Sequence, residues 1–91
     1  MKLWGIIRKG SGIHKDIVLD TEYVNRDAVN DWGSLVGHIC QALDLARPVM
    51  LNKHVHDLQR FSRTVFTQED FMEPIFFDKF ELVIFSQNKK S

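Results

Sequence analysis

Ninety-one residues with 44% hydrophobic and 26% charged side chains fit one globular domain spanning 1–91. Twelve basic residues balance twelve acidic ones, so no global field draws the chain to nucleic acid or to an anionic membrane. The composition excludes a disordered tail and a collagen-like repeat, and the single cysteine, Cys40, excludes an internal disulfide.

Residues 2–9 are rich in β-branched and aromatic side chains and predict a strand. Gly10-Ser11-Gly12 predicts a hairpin loop with a bulge, because its glycines accept positive φ. Residues 13–19 resume as a second strand, with Ile13, Ile17 and Leu19 on one face and His14, Asp16 and Val18 on the other. The loop is not a phosphate cradle, since a strand and not a helix follows it.

Polar residues 20–26 connect to a helix expected over 28–44, capped by Asn25 or Asp27. Ala28, Val29, Trp32, Leu35, Val36, Ile39, Cys40 and Leu43 recur at helical spacing. They cover a face about 160° wide. Gly33 and Gly37 lie at the edge of that stripe and read as a groove for another backbone. Arg47-Pro48 closes the helix, and Val49-Met50-Leu51 reads as a short buried strand.

Asn52 caps a second helix over 53–62, with Val55, Leu58 and Phe61 inward. Residues 64–67 are ambiguous between strand and loop. Thr67 with Asp70 three residues on resembles a capping box for one turn from Gln68 to Met72, which Pro74 stops. Residues 77–85 form the last strand, and 86–91 a polar, frayed tail. The order β-β-α-β-α-β predicts an α+β fold: a small, mostly antiparallel sheet with two helices packed on one face.

The first and last strands are apolar on both faces. Two helices cover one face, which leaves Trp4, Ile6, Val18, Val83 and Phe85 to be covered by something else. A second copy of the chain is one cover; residues 64–76 folded over that face are the other. The expected function is therefore association, as a homodimer or with a different protein, and not catalysis.

The alternative is an anion- or nucleic-acid-binding module on the basic 47–63 segment. His56, Arg60 and Arg63 fall at spacings of four and three along one helical side, with Arg47 nearby. Pairing of these arginines with Glu69, Asp70 and Glu73 is the competing reading. No helix-turn-helix or stacking-aromatic motif supports sequence-specific readout of nucleic acid.

No metal or cofactor is expected. His54 and His56, two apart on a helix, point about 200° apart and cannot share an ion. They read as two solvated histidines near a helix N-terminus. His38 and Cys40 meet the same objection, and Cys40 lies in the apolar stripe as a small hydrophobe. No nucleophile elbow or Ser/His/Asp set is present. With neither a signal-peptide pattern nor a membrane-length apolar run, a cytoplasmic location is expected.

Met1-Lys2-Leu3-Trp4-Gly5, Arg47-Pro48 with Leu51, the run Phe61 to Phe71, and Glu73, Ile75, Phe77 and Asp78 give the chain a resemblance over most of its length. It resembles a group of small bacterial proteins of similar length with no known function. The resemblance implies a compact stand-alone domain and brings no activity, ligand or site residue with it.

Overall fold

The computed structural model describes residues 1–85, so the tail expected over 86–91 lies outside the described residues. Strands β1 (Lys2–Lys9) and β2 (Gly12–Asp20) form the expected hairpin. Helices α1 (Trp32–Ala42) and α2 (Asn52–Phe61) follow in succession, then strands β3 (Arg63–Phe66) and β4 (Lys79–Phe85). All neighbours pair antiparallel in the order β2-β1-β4-β3. The fold is therefore a small α+β domain with an antiparallel sheet.

The third strand stands after the second helix and not before it. Val49-Met50-Leu51 joins no ladder: Val49 N–H donates to the Asp70 carbonyl at 2.6 Å, while Val49 and Leu51 remain exposed. Pro48 has no N–H to donate, and Leu51, one residue before the expected cap Asn52, already starts α2 by accepting from His54 and Val55 N–H with its carbonyl, which leaves no room for a strand. The ambiguous segment at 64–67 takes the strand's place. Ser62, left-handed at φ 62°, turns the chain out of α2 and into β3.

The first helix also starts later than its apolar period suggests. Asn25 caps a separate 3-10 turn, Arg26–Ala28, by accepting from the N–H groups of Asp27 and Ala28. Asp31 then caps α1 by accepting from Ser34 N–H at 3.1 Å. Two caps six residues apart break one amphipathic run into two pieces. At the other end, Asp70 reaches back to accept from Thr67 N–H at 3.0 Å, the expected box around the turn Gln68–Asp70.

One face of the sheet carries the core. Leu3 and Ile7 of β1, Phe80 and Leu82 of β4 and Phe66 of β3 pack with Trp32, Leu35, Val36, Ile39 and Cys40 of α1 and Leu58 of α2. Gly5 lets α1 sit down on the sheet: a Cβ there would lie 2.5 Å from Ile39 Cγ2. Gly37 is covered by the Arg47 guanidinium, and Gly33 meets only the Asp31 side chain. What fills the expected backbone groove is thus a side chain.

A register slip between Ile7 and Arg8 marks a bulge in the hairpin. It moves Ile13 opposite Arg8, off the face of Ile17 and Leu19, and leaves it exposed. The sequence's simple alternation misses this because one extra residue reverses the parity of the strand.

Candidate functional site

Among the described residues no helix lies on the second face of the sheet. Alternation along each strand turns Lys2, Trp4, Ile6 and Arg8 of β1 toward it, opposite the helix-facing Leu3 and Ile7. The register then adds Val18, Asp16 and Asp20 of β2, Val83, Glu81 and Phe85 of β4, and Arg63 and Val65 of β3. Four of the five residues expected to associate, Trp4, Val18, Val83 and Phe85, line one shallow apolar depression with Asp16. Val18 is 47% and Phe85 38% exposed. Ile6 is on the same face but only 1% exposed, so its neighbours already hide it.

The alternative cover does not reach this face. Of residues 64–76, the first three join the sheet in β3, and Phe71 turns to the core, where it meets Phe77 edge to face at 5.7 Å, while Phe76 lies against His14 at the hairpin end. Trp4 is held in place by its own indole: Nε1 donates to Asp16 Oδ2 at 2.8 Å across the hairpin. The aromatic plate is therefore fixed by a bond within the chain.

Beside the depression lies a charge cluster that the sequence does not reveal. Glu81 is 3% exposed, and its carboxylate accepts from Arg8 Nε at 2.5 Å and Arg63 Nη2 at 3.0 Å, with Lys79 Nζ at 3.9 Å. The three cations come from β1, β3 and β4, so the cluster stitches three strands together. Only the strand order brings these residues together; the one sequence signal is a lone acid within the apolar run from Phe80 to Phe85.

The basic set of the alternative reading is dispersed. Arg63 turns to Glu81, and Arg47 lies over Gly37 of α1. His56 and Arg60 remain exposed on α2, with Arg60 over the Phe61 ring at 5.7 Å. No ion pair joins these arginines to Glu69, Asp70 or Glu73 among the described residues. A groove between α2 and β3, lined by Lys53, Asp57, Phe61, Arg63 and Val65, mixes both signs of charge.

His54 is fully buried, contrary to the solvated histidine expected from its helix-terminal position. Its Nδ1 accepts from Leu51 N–H at 3.0 Å, which assigns the proton of the neutral ring to Nε2. Nε2 lies 3.6 Å from Asp70 Oδ2, too far for a hydrogen bond, and has no other partner among the described residues. Burial holds the imidazole below its ordinary pKa of 6.5, against the opposing pull of the Asp70 carboxylate. Burial likewise pushes the Cys40 thiol up to about 11, so it is not an activated nucleophile.

Among the described residues no group of three or more His, Cys, Asp or Glu side chains is placed to hold a metal ion. No described helix is long and apolar enough to cross a membrane. Comparison of the chain with protein-family models, curated proteins and solved structures finds no match. The functional reading therefore rests on the geometry of this chain.

Proposed function

We propose that this protein is a self-associating module whose open sheet face packs against the same face of a second copy. The observation that carries the reading is the depression of Trp4, Val18, Val83 and Phe85, nearly all apolar and left uncovered, among the described residues, by the helices and by residues 64–76. Three strands of seven to nine residues and one of four, about 4.8 Å apart and rising about 3.4 Å per residue, give a face of about 400 Å² in projection. That is small beside the roughly 800 Å² per partner of a standard interface. Association on that scale is reversible and depends on concentration. The two edges of the face carry opposite charge, Arg63 on β3 against Asp16 and Asp20 on β2, where Asp20 meets Lys2 at 3.4 Å and still exposes 69% of its side chain, which suits a like partner.

Sedimentation from micromolar to millimolar concentration tests the reading. The expected result is a shift from 10.6 kDa toward twice that mass. Val18→Lys should hold the protein at the monomer mass, because Val18 lies on an edge strand, half exposed, and its loss spares the core. A wild-type protein that remains monomeric throughout sinks the reading.

A further inference from the structure

The charges around the apolar depression constrain how a second copy would lie on it, an inference that rests on the self-association reading above. Along β2, Asp16 and Asp20 flank Val18 on the open face. Across the sheet in the same row, Val18 pairs with Trp4, Trp4 with Val83, and Val83 with Arg63. One row thus runs from an aliphatic residue between two carboxylates, through an indole and a valine, to a guanidinium.

Two face-to-face arrangements have two-fold symmetry and keep the strands aligned. An axis across the strands lays β2 on β2 and β3 on β3. It sets the Asp16 and Asp20 carboxylates of the two copies against each other and costs like-charge repulsion. An axis along the strands lays β2 of one copy on β3 of the other and keeps each row over itself. Arg63 then faces Val18 and falls between the partner's Asp16 and Asp20, while Trp4 covers the partner's Val83. Only one donor atom of Arg63 is bonded to Glu81, and its side chain is 56% exposed, so further N–H groups of the fork are free to reach across.

We infer that the protein forms a two-fold dimer whose axis runs along the strands, with Arg63 of each copy seated between Asp16 and Asp20 of the other. Each dimer makes this contact twice, once at each edge. The paired contacts fix the register of the sheets, while the apolar row between them supplies the driving force.

Charge reversal on each edge tests the arrangement. One variant is Asp16→Asn with Asp20→Lys, where Asn at 16 still offers an oxygen to the Trp4 indole. The other is Arg63→Glu. Each alone should weaken self-association about tenfold or more, and an equimolar mixture should recover a heterodimer near wild-type affinity. The heterodimer also establishes that both variants fold. Raising the salt concentration should weaken the wild-type dimer. If the wild type dimerises and the variants match it within about twofold, the axis is wrong while self-association stands. If the variants weaken but their mixture does not recover, the two edges do not face each other, and the arrangement is equally overturned. A monomeric wild type overturns the reading of the face itself, and this arrangement with it.

Discussion

Gly5 sits in β1 directly beneath Ile39 of α1, and the absence of a side chain sets how close the helix comes. The nearest obstacle to a new methyl is Ile39 Cγ2, with Phe80 Cε1 at 3.3 Å on the other side, and both belong to a packed core. Gly5→Ala should therefore destabilise the fold by about 1–3 kcal/mol, read as a lower urea midpoint, despite the better strand propensity of alanine. His54 makes a different kind of commitment. The native state holds it neutral, whereas the unfolded chain binds a proton below 6.5. Stability contributed by His54 is thus fully present above 6.5 and is lost as pH falls from there toward the depressed native value. The urea midpoint should fall between about pH 7 and pH 5, and His54→Gln should flatten that slope while costing stability at neutral pH. An unchanged slope would remove His54 as its source.

At the scale of elements, β4 is the strand on which the sheet depends. It pairs with β1 on one side and β3 on the other, and its Glu81 binds cations from both neighbours. Glu81→Gln keeps the shape but leaves Arg8, Arg63 and Lys79 together without a counter-charge. The expected cost is about 1–2 kcal/mol, below that of a fully buried pair, because Arg8 and Arg63 both reach water. Chemical denaturation of the variant in high salt checks the cause, since screening should narrow its gap from wild type. The hairpin, the two helices and the last strand are legible in the sequence because each announces itself by glycine placement or by period. The third strand is not legible: Arg63–Phe66 is four residues long and holds its place only by pairing with β4. His54 misleads for a related reason, since its burial is set by Phe66, whose ring lies 4.3 Å away, and by Asp70.

For the whole molecule, the sheet is finished on one side only. Its two-faced strands are visible in the sequence, and four of the five residues read as surplus apolar surface, Trp4, Val18, Val83 and Phe85, do line one depression. Ile6 departs from that group because Glu81 and Trp4 neighbour it on the face, a consequence of strand order that spacing cannot express. Hydrogen exchange should report the difference between the two sides. Amides of α1 lie over the sheet in the core and should be slow at any protein concentration. Those of the edge strand β2 should slow further as concentration rises, if the open face meets its like.

Cys40 gives this fold a built-in clock. The residue is 1% exposed within the core cluster, and burial raises its pKa to about 11, so a thiol-directed reagent meets neither surface nor thiolate while α1 stays seated. Labelling must wait for the helix to lift from the sheet. With reagent in excess, the rate should stop rising with reagent concentration and settle at the opening rate of the helix. One native cysteine thus reports α1 detachment without any engineered probe.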